Sequence, residues 1–141
     1  MEKSETDLQY ENKKKFERRN RLLERVLNAG PDGWPLYLLY YEDRYETLSG
    51  DGFYPYFSEA CPSFETAENS ARRKRYADGK NPGPNEGWHY YIFRCRVFLD
   101  PQADEMKIDS VEYIKTVDDC YKVPKIEPDI DEIAGDMFAQ F

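Results

Sequence analysis

The feature that most constrains this fold is a stretch of alternating side chains over residues 88–99. One set of alternate positions is apolar apart from His89, and the other set contains Arg94 and Arg96. Successive side chains of a strand point to opposite faces of its sheet. The pattern therefore predicts a long central strand that is solvated on one face only near its middle.

Shorter apolar stretches predict the strands that accompany it. Residues 36–41 form an apolar and aromatic run whose length fits a buried strand better than a helix. Residues 53–57 predict an edge strand or a loop, because Pro55 cannot donate a hydrogen bond to a neighbouring strand. The β-branched and aromatic residues between positions 106 and 117 predict a strand that returns beside residues 88–99.

A long amphipathic helix is predicted over residues 5–28. Ser4, followed three residues later by Asp7, is typical of a helix start. Gly30-Pro31 predicts the stop, because glycine supplies a left-handed cap and proline cannot continue a helix. The apolar side chains of this segment recur at roughly helical spacing: Phe16, Leu22, Leu23, Val26 and Leu27.

Two further helices complete the predicted architecture. Ser63 is the expected N-cap of a helix at about 64–77. Asp129 precedes a short acidic amphipathic helix near the C-terminus. These elements together predict the α+β class, with a small and mainly antiparallel sheet.

Charge is distributed unevenly along the chain. The net charge is -8, and residues 100–141 account for all of it with four basic and twelve acidic side chains. We expect a charged N-terminal helix over 1–33, an α+β core over 34–123 and an acidic tail or helix over 124–141. The acidic end would repel a phosphate backbone, so nucleic-acid binding is disfavoured.

The sequence lacks the signals that are typical of membrane, secreted, disulfide-rich and zinc-binding proteins. No apolar run approaches the ~18–20 residues that span a bilayer, and the polar start carries no secretory signal. Three widely spaced cysteines match neither a disulfide framework nor a zinc pattern, so each is expected to be a small buried hydrophobe: Cys61, Cys95 and Cys120. We therefore expect an intracellular, cytoplasmic chain without membrane contact.

For the residue types that most often act in catalysis or ligand binding, the sequence favours structural roles. His89, the single histidine, lies on the apolar face of the predicted central strand, which favours a structural role over that of a general base. The basic run Arg72–Arg75 surrounds its helix and is expected to pair within the chain, with an anionic ligand as the alternative. The acidic C-terminal segment lacks the ligand spacing of an EF-hand, so no metal site is predicted.

Two localised features indicate a binding surface. Tyrosines crowd between positions 37 and 56, and tyrosine is frequent at binding hot spots because it buries much area at a small entropic cost. A core filled by tyrosines is the alternative explanation. The predicted contact residues, from this cluster and from the acidic helix, are Tyr40, Tyr41, Tyr45, Tyr54, Tyr56, Asp129, Asp131, Glu132 and Asp136.

Taken together, these features predict a non-enzymatic protein-binding domain. Its acidic and tyrosine-rich segments would dock on a basic protein surface, as small inhibitors, immunity proteins or antitoxins do, and no cofactor is expected.

A series of short matches runs through residues 35–99. An aromatic strand opens at Leu36-Tyr37, a turn follows at Gly52-Phe53, and a second strand carries Phe57-Ser58 ahead of the long strand. This order resembles the N-terminal half of ADP-ribosyltransferase-like domains. The resemblance implies an alternative function, an NAD-binding enzyme or its inactive descendant. It would place Arg44, Ser58 or Ser63, and Glu112 near a nicotinamide pocket.

Overall fold

The computed structural model describes residues 4–43, 55–77, 88–117 and 123–139. The predicted α+β class is confirmed: three helices accompany a four-stranded antiparallel sheet in the described part of the chain. In chain order the elements are α1 (Glu5–Ala29), β1 (Trp34–Asp43), β2 (Tyr56–Cys61), α2 (Phe64–Arg75), β3 (Trp88–Asp100), β4 (Glu105–Thr116) and α3 (Ile130–Met137).

β3 is the long inner strand that the alternating pattern predicted. The strand order is β2-β1-β3-β4, so β3 is hydrogen-bonded to β1 on one side and to β4 on the other. From His89 to Phe93 every side chain is buried, whereas Arg94 is exposed and Arg96 is half-buried. The strand is therefore covered on both faces in its first half and solvated on one face near its middle, as predicted.

Two compact units divide the described elements between them. The helical unit comprises Met1–Trp34, Val97–Ile108 and Pro128–Phe141, and so contains α1, α3 and the turn between β3 and β4. The sheet unit comprises Pro35–Arg96 and Asp109–Glu127. It contains α2 and most of the sheet. The two ends of the sequence thus fall within one unit.

The core of the sheet unit lies between α2 and one face of the sheet. α2 contributes Ala67 and Ala71, one turn apart on the same side of the helix, and both are fully buried. Their small side chains let the helix backbone approach the strands closely. The other buried members of this core are Leu39, Cys61, Tyr90, Ile92 and Val117.

In the helical unit, α1 buries a narrower stripe than its sequence suggested. Leu22 and Val26, one turn apart, are buried, but Phe16 is 65% exposed and Leu27 is 56% exposed. Phe16 and Leu27 therefore lie outside the buried stripe, although they recur with the others at roughly helical spacing. At about 100° of rotation per residue, Phe16 and Leu27 lie well over 90° around the helix from Leu22.

The predicted helix boundaries are confirmed by their caps. The Ser4 hydroxyl accepts a hydrogen bond from the Asp7 backbone N–H at 3.1 Å, and the Ser63 hydroxyl accepts one from Thr66 at 3.2 Å. Gly30 ends α1 with a positive φ of 94°, a backbone conformation that favours glycine. Each signal therefore acts through the backbone group that the helix end leaves unpaired.

Both edge strands of the described sheet are interrupted. Leu39 pairs with Glu59 but Tyr40 pairs with Phe57, so Ser58 is an extra residue in β2. In β4, Ser110 has a φ of 55°, and a residue in the left-handed region inside a strand marks a bulge. Such bulges bend an edge strand and redirect its side chains.

Alanine substitutions at two glycines are expected to change stability in opposite directions. At Gly30 an added Cβ would meet open space but the φ of 94° is strained for any L side chain, so Gly30→Ala should destabilise the fold by about 1 kcal/mol or more. Gly135 lies inside α3 with open space around its Cβ position, so Gly135→Ala should stabilise it by about 0.5–1 kcal/mol. Urea unfolding of both variants measures the changes. Shifts of the same sign would contradict the backbone explanation.

Candidate functional site

A patch of four aromatic rings lies at one end of the sheet unit, on the face that also carries α2. Tyr41, near the end of β1, is at its centre. Its ring centroid lies 5.5 Å from that of Tyr56, 5.5 Å from that of Trp88 and 5.8 Å from that of Tyr90. The register explains this grouping, because Tyr56 is the residue that pairs with Tyr41 across β1 and β2. We call these four residues the aromatic patch.

The patch is a surface and not a pocket. Centroid distances of 5.5–5.8 Å are those of rings in direct contact, so no space remains between them for a ligand. Tyr56 is 46% exposed and Trp88 is 44% exposed, whereas Tyr90 is almost completely buried beneath them. Large apolar side chains are thus presented to solvent on a rigid support.

The end of α2 supports the patch from below. Arg75 is buried, and its guanidinium donates a hydrogen bond of 2.8 Å to the backbone carbonyl of Trp88. Burial raises the pKa of the Tyr90 hydroxyl, and the nearby Tyr41 adds to this while Arg75 opposes it. Tyr90 therefore stays neutral at physiological pH, and Arg75 fixes the start of β3.

The predicted tyrosines divide between the core and this surface. Tyr40 is buried, and its ring packs edge-on against Phe57 and Phe93, so the core explanation holds for it. Tyr41 and Tyr56 belong to the aromatic patch, while Tyr45 and Tyr54 lie outside the described residues. Trp88 is a member that the sequence analysis missed. Its position at the start of the strand next to β1 was the available signal.

The predicted acidic contact residues are largely engaged inside the helical unit. Asp129 caps α3 by accepting hydrogen bonds from the backbone N–H groups of Asp131 and Glu132. Asp131 binds Arg19 through two hydrogen bonds, of 2.7 and 3.1 Å, and Lys15 lies 3.2 Å away. Glu132 and Asp136 are exposed on the same helix. The basic side of α1 thus neutralises part of the C-terminal charge.

Neighbouring carboxyl groups on α3 titrate differently. Burial alone would raise the pKa of Asp131, but hydrogen bonds from Arg19 and Lys15 outweigh it and hold that pKa below the usual range. Burial raises the pKa of Glu132, and the charge of Asp129 adds to the effect. Asp131 is therefore the group whose ionisation contributes to holding α1 and α3 together.

The residues implied by the ADP-ribosyltransferase resemblance lie apart. Ser58 is the bulge residue of β2, where it accepts a 2.7 Å hydrogen bond from Lys74, and Ser63 caps α2. Glu112 lies on β4 and pairs with Arg94 at 3.1 Å. β2 and β4 are the two edges of the described sheet, so Ser58 and Glu112 are separated by two strands. Arg44 lies outside the described residues, and NAD binding stays a prediction.

The basic run of α2 is engaged within the chain. Arg72 lies 3.9 Å from Glu68 on the same helix, and Lys74 contacts both Ser58 and Glu59 on β2. The bulge in β2 makes the second arrangement possible, because it turns two consecutive side chains towards the helix. The intramolecular explanation of this run is the one that the contacts support.

A buried polar pair joins β1 to β3. Glu42 is 1% exposed and accepts a hydrogen bond from the Tyr91 hydroxyl, which is itself fully buried. His89 lies on the same face of β3, two residues before Tyr91, and has no exposed surface. A buried carboxyl group is costly unless it is hydrogen-bonded, so this contact is a structural requirement of the sheet unit.

The described thiols are not poised for chemistry. Cys61 and Cys95 are buried and are not joined in a disulfide, as expected from the sequence, and Cys120 lies outside the described residues. Burial raises the pKa of Cys95 to about 12, with a further contribution from the charge of Asp109. At neutral pH this thiol is protonated, which is the less nucleophilic form.

The described ranges lack two features that would indicate a membrane or metal-dependent role. They contain no helix with the length and apolar character needed to cross a membrane. They also contain no group of three histidine, cysteine, aspartate or glutamate side chains arranged to hold a metal ion.

The chain matches no protein-family model. Neither a curated protein nor a solved structure matches it.

Removing the Tyr91 hydroxyl is expected to destabilise the fold. Tyr91→Phe leaves the buried Glu42 without this donor, which should lower the free energy of unfolding by about 1–3 kcal/mol. Tyr113→Phe is the control, because Tyr113 is 38% exposed and its hydroxyl bonds the uncharged hydroxyl of the buried Thr116 and not a carboxyl group. Its loss should be less than about 1 kcal/mol. Equal losses in urea unfolding would show that burial of the pair contributes nothing.

The stabilising effect of Asp131 is expected to depend on pH. The pKa of Asp131 is lower in the folded chain than in the unfolded chain, where it is about 3.9. The stabilisation by its ion pair is therefore complete at pH values above the unfolded pKa, and it is lost as the pH falls through the folded pKa. Asp131→Asn should therefore cost up to about 1 kcal/mol at pH 7 and less at about pH 2. Unfolding measured at both pH values tests this.

Glu127→Gln serves as the control for this measurement, since Glu127 is exposed and forms no ion pair within the described ranges. A cost of Asp131→Asn that is unchanged at low pH would contradict the ion-pair explanation.

Proposed function

We propose that this chain is a non-catalytic protein-binding domain that docks on a basic protein surface, with the aromatic patch as its centre of contact. The observation that carries the proposal is the exposure of Tyr56 and Trp88 on a rigid base of buried rings. Exposed apolar patches of this kind mark interaction sites, and tyrosine and tryptophan supply much of the affinity at such sites.

The aromatic patch is ordered before a partner binds, which supports a binding function. The rings are fixed by mutual contacts, and Arg75 anchors the backbone of Trp88 from beneath. A partner that covers them would therefore lose little side-chain entropy on their account. The faces of exposed tyrosine and tryptophan rings also attract the cationic groups of lysine and arginine.

The charge of the chain supports a basic partner. The net charge of -8 would accelerate encounter with a positive surface and make the affinity sensitive to salt. Not all of this charge is available, since Asp131 is paired with α1 and Asp129 caps α3. Glu132 is exposed on α3 and is the carboxylate of this helix that we propose for contact with a partner.

The groups that would be needed for catalysis are poorly placed in the described residues. His89 has no exposed surface, and the Cys95 thiol is protonated at neutral pH. Ser58 is hydrogen-bonded to a lysine that also faces Glu59. These positions favour the binding function over the alternative of an enzyme that uses NAD.

Truncating the patch is expected to abolish partner binding. The immobilised chain should capture a basic protein from the source cells, and the double variant Tyr56→Ala/Trp88→Ala should weaken the affinity of the purified partner by about 30-fold or more, the loss typical of hot-spot residues. Raising the salt concentration from 50 to 300 mM should also weaken it. Calorimetry with the purified partner measures both effects.

Tyr10→Ala provides the matched control, because Tyr10 is an equally aromatic side chain on α1 that is 62% exposed and lies outside the patch. It should leave the affinity unchanged. Binding that tolerates the double variant, or that is indifferent to salt, would overturn the proposal.

A further inference from the structure

A groove in the helical unit combines an apolar floor with acidic residues. Its volume is about 340 Å³, within the range of sites that accept a small molecule or a few side chains. The apolar lining comes from three elements that meet here: Phe16 and Leu23 of α1, Leu99 and Met106 at the ends of β3 and β4, and Ile130 at the start of α3.

The exposure of Phe16 indicates that no other side chain of the described residues covers this part of the groove. Its ring is 65% exposed although it forms part of an apolar lining. Met106 contributes a flexible thioether, a side chain that adapts to the shape of different partners. An additional apolar side chain placed in the groove would cover both.

The charges along the groove are not balanced. Arg19 is its one lining cation, and this guanidinium is held by both carboxylate oxygens of Asp131. Asp104 and Glu105 also line the groove, and neither forms an ion pair or a side-chain hydrogen bond with another residue in the described ranges, although the charge of Glu105 helps to raise the pKa of Lys107. The groove therefore presents two exposed carboxylates beside an apolar floor, while the guanidinium in its lining is already held by Asp131.

The turn that carries these carboxylates is well defined. The Asp104 backbone N–H donates to the Asp100 carbonyl at 2.8 Å, and Asp104 adopts a φ of 53°. The Asp100 side chain accepts hydrogen bonds from the backbone N–H groups of Gln102 and Ala103 and pairs with Lys107 at 2.6 Å. The backbone that carries Asp104 and Glu105 is therefore already ordered before a cation binds.

We propose that this groove binds a segment of the partner protein in which an apolar side chain is flanked by lysine or arginine. The apolar side chain would fill the space beside Phe16 and Met106, and the cations would pair with Asp104 and Glu105. An amphipathic helix laid with its apolar face in a groove is a common mode of recognition. This inference rests on the proposed function, since the segment belongs to the same basic partner.

A synthetic peptide tests the groove separately from the partner. The probe is a 16-residue fluorescent peptide with leucine along one helical face and lysine on the others, titrated with the full chain and followed by fluorescence anisotropy. The double variant Phe16→Ser/Met106→Ser should weaken peptide binding at least tenfold, because it removes apolar contacts in the floor of the groove without changing the charge of the chain. Both side chains are partly exposed, so the variant should fold, and circular dichroism verifies this.

Charge variants separate the rim of the groove from the overall charge of the chain. Asp104→Asn/Glu105→Gln should weaken the peptide several-fold and reduce the salt dependence, and asparagine tolerates the positive φ at position 104. Glu24→Gln/Glu65→Gln removes two exposed carboxylates that do not line this groove, and it should have a much smaller effect.

Three outcomes would overturn the inference. They are equal losses in the two charge variants, full affinity in the serine variant, and equal affinity for a peptide whose leucines are replaced by serine. A failure of the proposed function can be distinguished from a failure of this inference, because the proposed function is tested by the affinity of the native partner for the chain and for the aromatic-patch variant Trp88→Ala. That variant should leave the affinity for the peptide unchanged.

Discussion

The structure depends on a strand that is buried on both faces. β3 is hydrogen-bonded to a strand on each side, and five consecutive side chains from His89 to Phe93 are removed from water. A strand in this position cannot shift its register by one residue without exchanging the residues of its two faces. The contacts of Tyr41 with Tyr90 and of Glu42 with Tyr91 both follow from this fixed position.

Much of the fold could be predicted because local rules determined it. The alternation at 88–99, the serine caps at positions 4 and 63 and the glycine at position 30 each act within a few residues, and all were confirmed. The amphipathic helix α1 was predicted, but its sequence did not tell that Leu22 is buried and the apolar Phe16 is exposed. What decides such a case is the neighbour of the helix, which local sequence does not specify.

The candidate site was less predictable, for an identifiable reason. Tyr41 and Tyr56 could be chosen as surface residues, but Tyr40, beside them in sequence, belongs to the core. Only the pairing of β1 with β2 and β3 decides which rings meet. The contact of Arg19 with Asp131 joins residues 112 positions apart, and no spacing rule anticipates it. Glu42 was detectable, because it continues the buried alternation of Leu38 and Tyr40.

The two bulges have a consequence for how this protein can meet other molecules. An unbroken edge strand offers its backbone as a template to any extended chain, which leads to strand addition and to fibrous assembly. Here Ser58 interrupts one margin of the described sheet and Ser110 interrupts the other. Each bulge disfavours the addition of a further strand at its margin of the described sheet. Recognition through side chains, which discriminate between sequences, is thereby favoured over recognition through peptide groups, which every chain shares.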